Sequence, residues 1–149
     1  MIRRAAGILG VAFSMAVISV AARQPAQAGK GSSQPSGTGW QVPPEAEETK
    51  SPLTVDAKVL AAGKTIFKEK CQKCHGQSGR GDGPDADPDA QENMDLTSAK
   101  RAARNPEGVM FFKAWNGRKK PKMPAFKNEL TKEQVWAVVA YARTLRKAQ

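Results

Sequence analysis

The chain holds two cysteines and a single histidine, and all three fall in one run, Cys71-Gln72-Lys73-Cys74-His75. Thiols spaced this way on a tight turn can each add to one vinyl group of a haem. The next residue then offers an imidazole to the iron from beneath. Other uses of the same residues account for less. A structural zinc site takes about four ligands, and only three neighbours stand here. A thioredoxin-like pair follows a strand, whereas these cysteines follow a helical pattern. A plain disulfide suits an exported protein but leaves His75 without a role.

A haem iron needs a second axial ligand, and with one histidine the chain cannot supply bis-histidine coordination. Beyond the first 28 residues the thioethers are Met94, Met110 and Met123. Met110 sits inside a helical stripe and reads as core. Met94 lies in the acidic stretch from Asp82 to Asp95. Met123 stands in Lys120-Pro121-Lys122-Met123-Pro124, where flanking prolines stiffen an extended loop. Met123 is therefore the expected ligand, against the competing use of methionine as a gap filler.

Three helices must position these groups. Thr54 can cap the first, whose apolar positions Val55, Val59, Ala62 and Ile66 recur at helical spacing and lead into Cys71. Asn105-Pro106 opens the second as cap and first-turn proline, and Asn116-Gly117 ends it. Its apolar face is Val109, Phe112 and Trp115, or Met110 and Ala114. Thr131-Lys132-Glu133-Gln134 is a capping box for the third, with Val135, Val138, Val139, Ala142 and Leu145 as its buried stripe. A short helix fits Ser98 to Ala103. No strand pattern and no internal repeat is present.

The ends are of other kinds. Arg3 and Arg4, the apolar run from Ala5 to Ala22, and Ala26-Gln27-Ala28 match a secretory signal, so residues 1–28 are expected to be removed on export. An uncleaved anchor is the alternative, with a run of borderline length for a bilayer. Residues 29–52, rich in Pro, Gly and Ser, read as a flexible linker or docking arm. Within them Trp40 suggests docking, because an exposed indole is costly. The whole chain carries +10, and cleavage would take Arg3, Arg4 and Arg23 from it, leaving +7. Few aromatics and no zinc-finger spacing speak against nucleic acid.

From about Thr54 to Arg146 the sequence resembles class I cytochromes c, above all the bacterial group in which a Gly-Asp-Gly-Pro loop follows the haem motif. Here the loop is Gly81-Asp82-Gly83-Pro84. Gly63 and Phe67 match the family's first-helix glycine and aromatic, and Val138 and Tyr141 match their partners on the last helix. The resemblance implies an all-α fold, with three main helices wrapped around one covalently bound haem c in a domain spanning 53–149. It implies cofactor contacts from Cys71, Cys74, His75, Pro84 and Met123. His75 and Met123 would bind iron, and the Pro84 carbonyl would accept a hydrogen bond from His75. The stretch Asp85-Ala86-Asp87-Pro88-Asp89 starts like a calcium loop but lacks its glycine and closing glutamate, and so reads as a solvated loop.

The function expected is that of a periplasmic one-electron carrier, not an enzyme. A haem subunit of a larger periplasmic or membrane redox complex is the first alternative. A haem enzyme or sensor with a displaceable sixth ligand is the second. Lys64, Lys68, Lys70 and Lys73 crowd the haem motif, and Lys113, Arg118, Lys119, Lys120, Lys122 and Lys127 crowd the Met123 loop. Such a basic rim suits redox partners with acidic docking patches. Membrane association is expected only with an uncleaved N-terminus.

Overall fold

The computed structural model describes residues 39–146, so the expected signal sequence and the first part of the linker lie outside the described residues. Seven α-helices order these residues: α1 Glu45–Glu48, α2 Ala57–Ile66, α3 Gln72–His75, α4 Gln91–Met94, α5 Ala99–Ala103, α6 Glu107–Asn116 and α7 Lys132–Thr144. No β-strand occurs among them, only isolated bridges. The three main helices expected from periodicity are α2, α6 and α7.

The fold turns on the crossing of α2 with α7. Gly63 lies against the Ala137 backbone, where a Cβ would overlap the Ala137 carbonyl and come within 2.9 Å of Tyr141 Cβ. One turn later Phe67 meets Tyr141 edge-on, with ring centroids 5.4 Å apart. Phe67, Val138 and Ala142 form one buried cluster there. Ala114, Phe126, Val135, Trp136 and Val139 form a second, where Phe111 stacks on Trp136 at 4.3 Å. Burying each such large apolar side chain contributes about 1.5–3 kcal/mol.

Local signals explain the helix ends. The Thr131 hydroxyl accepts from the Gln134 N–H while the Gln134 side chain accepts from the Thr131 N–H, the full capping box. Gly117 closes α6 with φ +60, a left-handed backbone that suits glycine. Three expectations need correction. Asp56, not Thr54, caps α2, its carboxylate accepting from the Val59 N–H at 2.8 Å. Val55 lies before that cap and is 52% exposed, and Ala62 is exposed too, so α2 buries Gly63, with Phe67 just past its end, and half-buries Val59 and Ile66. Asn105 does not cap α6; its amide turns back to the Arg101 carbonyl, and Pro106 precedes the helix.

The described part of the segment read as linker or arm, from Gly39 onward, packs on α6. Its Ala46 is buried, and Gly108 of α6 sits so close to the carbonyls of Ala46 and Thr49 that a side chain would not fit. Glu107 of α6 accepts from the Ser51 N–H at 3.3 Å.

Candidate functional site

Between α2 and α3 the chain makes a π-helical turn, Phe67–Cys71. The turn keeps Phe67 buried against α7 while bringing Cys71 to the mouth of a cleft of about 490 Å³. Single π turns inserted in helices recur at functional sites. Cys74 and His75 line the same cleft, and Met94, Met110 and Met123 line it too. Phe67, Phe126, Val138 and Val139 give it an apolar floor.

His75 is fixed from behind. Its Nδ1–H donates to the Met94 carbonyl at 2.7 Å. A carbonyl can only accept, so Nε2 keeps its lone pair for a metal. Burial lowers the His75 pKa, opposed by that bond, so the ring is held neutral. Burial, with a smaller contribution from Cys74, pushes the Cys71 thiol up to about 12. A thiol so raised is a poor redox-active nucleophile, which speaks against a thioredoxin-like pair. Among the described residues no three His, Cys, Asp or Glu side chains gather where they could hold a metal ion.

The acceptor for His75 differs from the one expected. The Gly83 N–H donates to Cys74 O at 3.3 Å and the Asp85 N–H to Lys73 O at 2.8 Å. These bonds pin exposed Pro84 beside the cysteine turn, while the imidazole bonds Met94 O instead. Meanwhile Gly81 N–H bonds His75 O at 2.8 Å and Leu96 N–H bonds Gly79 O at 2.7 Å, drawing the end of α4 under the ring. Nothing in the spacing of Met94 from His75 marks this closure, because it depends on the return path of the acidic loop.

The three thioethers differ in what holds them. Met94 stands on the His75 side through its own carbonyl. The Met110 sulfur accepts from Arg146 Nη2 at 2.9 Å. Met123 is carried by a tight loop in which it exchanges two backbone bonds with Arg118, at 2.8 and 2.9 Å. Gly117 lets that loop close: a Cβ there would meet Met123 O and Ala125 N at 2.5 Å each.

One end of the cleft is basic. Lys113 Nζ donates to Asn105 Oδ1 at 2.5 Å, and Arg118 Nε donates to Pro121 O at 2.8 Å. Arg101 and Arg146 also line the cleft, and their buried Nε atoms have no hydrogen-bond partner. Trp40 covers this end, its ring 5.5 Å from Lys113 Nζ and 4.7 Å from the Arg118 guanidinium. Lys113 and Arg118 thus belong to the cleft rather than to a solvated rim, whereas Lys64, Lys68, Lys119, Lys120 and Lys127 are exposed.

Residues 60–146 match the family model Cytochrome c. The chain belongs to the cytochrome c family. Covalently bound haem c with iron is therefore its cofactor. Its cleft fits the group. The volume lies within the about 300–1,000 Å³ usual for bound cofactors, the floor is apolar, and the two orphaned Nε donors suit the haem carboxylates. No curated protein sequence matches this cytochrome c at a significant level. Among solved structures it is similar to a chain of the Kuenenia stuttgartiensis reducing HAO-like protein complex Kustc0457/Kustc0458. Identity there is 30% and the TM-score 0.56, over 65% of this chain and 48% of that one, so this cytochrome c spans about half that chain's length. It is also similar to the KustC0563 c-type cytochrome, at 26% identity and TM-score 0.47, over 57% of this chain and 98% of that chain. Cytochrome CL of Methylophaga aminisulfidivorans MPT is similar at 21% identity and TM-score 0.48, over 62% and 56%.

Proposed function

We propose that this cytochrome c is an exported one-electron carrier with a single haem, tethered through Cys71 and Cys74 and coordinated by His75 and Met123. One observation carries the proposal: a single cleft is lined by both thiols, the only imidazole and Met123, with that imidazole's Nδ1 already tied to the Met94 carbonyl. The haem supplies an iron that alternates between ferrous and ferric. The chain supplies the rest. His75 presents a neutral, oriented nitrogen. The Met123 thioether favours the ferrous state and raises the potential. The apolar floor of Phe67, Phe126 and Val138 acts in the same direction, because low polarity disfavours the extra ferric charge.

With both axial positions taken by protein, little needs to rearrange when an electron moves, which suits a carrier rather than an enzyme or ligand sensor. Replacing Met123 with Ala tests this. The reduced wild type should refuse carbon monoxide, and Met123→Ala should bind it and lose the sulfur-to-iron near-infrared band. A variant with unchanged bands would move the ligand to Met94 or a lysine. Tethering has its own test: after denaturation and extraction with acidified organic solvent, the colour should stay with the polypeptide.

Export to the periplasm is supported by the signal-like pattern of residues 1–28, and the mature protein should begin at Gly29. The exposed lysines Lys64, Lys68, Lys73, Lys119 and Lys127 support docking to acidic redox partners. Electron-transfer rates to such a partner should then fall as salt rises. The resemblance to part of a redox complex at 30% identity favours a second reading, a subunit working inside such an assembly. A partner that co-purifies stoichiometrically would select it.

A further inference from the structure

The family match begins at residue 60, yet Trp40 lines the cofactor cleft. The arm therefore adds to the haem site something outside the matched cytochrome c segment. Trp40 is only 9% exposed, and its ring lies against Lys113 and Arg118. The arm behind it is anchored to α6 by Ala46, by the close approach at Gly108 and by the Ser51–Glu107 bond. Lys113 of α6 and Arg118 of the following loop meet the indole, and Arg101 of α5 and Arg146, just past α7, line the same cleft. Like charges so crowded repel one another unless an anion lies among them. Lys113 donates to Asn105 Oδ1 and Arg118 Nε to Pro121 O, both neutral; Arg101 reaches the exposed Glu92 carboxylate at 3.8 Å, yet its buried Nε and that of Arg146 have no hydrogen-bond partner. The haem bears two carboxylates and no other charged substituent, and its vinyl edge is committed to Cys71 and Cys74 in the proposed attachment.

We propose that the N-terminal arm completes the haem site, Trp40 walling a pocket in which Lys113, Arg118 and Arg101 hold the haem carboxylates. The inference rests on the tethered haem proposed above. Trp40 excludes water from the pocket and keeps the Lys113 ammonium directed inward. Excluding water strengthens the hold of the cations, and cations beside the carboxylates offset their charge. Both effects favour ferrous iron.

The test is the reduction potential of the holoprotein at neutral pH. Trp40→Ala should shift the redox equilibrium about threefold to tenfold toward ferric, where tenfold corresponds to about 59 mV for a one-electron couple. Trp40→Phe, which keeps a ring, should stay within twofold of wild type. Lys113→Met should shift the same way as Trp40→Ala. The double variant should fall short of the sum, because the indole acts partly through the ammonium. Potentials unmoved in Trp40→Ala, or fully additive in the double variant, would overturn the inference. Solvent extraction of every variant separates this from failure of the parent proposal. Colour released from the wild type sinks the tether itself, whereas retained colour with unmoved potentials sinks only the role of the arm.

Discussion

The two sides of the haem cleft are held in different ways. On the His75 side the chain is cinched by backbone: the π turn fixes Cys71, four loop bonds return to residues 73–79, and Met94 O orients the imidazole. Behind it stands the α2–α7 crossing. On the Met123 side a loop between α6 and α7 carries the thioether, closed by two bonds to Arg118 and by the room Gly117 leaves. Above its basic end lies an arm from outside the matched segment. The difference predicts that the proximal half, built on the α2–α7 crossing, tolerates change less than the distal loop and arm.

The harshest challenge to that division is Gly63→Val. The added side chain collides with the Ala137 carbonyl, and backbone cannot step aside as a flexible side chain would. Overpacking at such a contact should cost about 3 kcal/mol or more, read as a lower denaturation midpoint of the holoprotein. Should Gly63→Val unfold like wild type, the crossing is not what supports the proximal side.

On the distal side Gly117→Ala should do less to stability and more to chemistry. A Cβ in this backbone conformation costs about 1–3 kcal/mol, and here it also presses on the backbone at Met123 O and Ala125 N. The loop should shift, so that the reduced variant binds carbon monoxide partially while losing less stability than Gly63→Val. Full exclusion of carbon monoxide would show that the distal loop is as rigid as the proximal side.

Much of the proximal half was legible in the sequence, because its signals are local or set by periodicity. Cys-x-x-Cys-His is a contiguous motif, and the capping box at Thr131 needs only four residues. Gly63, Phe67, Val138 and Tyr141 follow from the family pattern. What escaped depends on how distant segments meet. The carbonyl facing His75 belongs to Met94 because the acidic loop folds back, and Pro84 is pinned by bonds to Lys73 and Cys74. Arg101 and Arg146 carry no motif at all, and Asn105 only a helix-start signal that the structure does not use. Trp40 gave a hint through its apolar cost, but its target, two cations on α6 and the loop beyond, is a tertiary fact.

The basic end offers a subtler comparison, through pH. Burial first, and then Arg118, Arg101 and Arg104, push the Lys113 ammonium down from 10.5 to about 8. A lysine lowered on folding leaves the unfolded chain the better proton binder between those values. Its charge therefore costs stability below pH 8, and the cost lifts as pH rises through that window. Carboxylates placed beside Nζ raise its pKa again and cancel the effect. The holoprotein should accordingly gain no stability between about pH 8 and 10.5 in a melting series; a distinct gain would show Lys113 unpaired in the loaded site.

The smallest effect is expected where the two sides touch. Lys70, beside Cys71, pairs with Glu129, in the loop that leads from Met123 to α7, at 2.8 Å. The pair spans both halves of the cleft, but its side chains are 37% and 50% exposed, so water and salt screen it. The hydrogen bond and charge of Glu129 raise the Lys70 pKa above 10.5. A lysine raised on folding contributes stability that is fully present below its unfolded value and lost as pH climbs past the folded one. Lys70→Met should thus lower the melting temperature slightly at neutral pH and low salt, with the difference vanishing in high salt or at strongly alkaline pH. It should leave carbon monoxide exclusion intact, since Met123 is held by Arg118 and Gly117 rather than by this strut. If Lys70→Met admitted carbon monoxide, the two halves would be coupled through the pair, and their separation into a fixed floor and an alterable cover would fail.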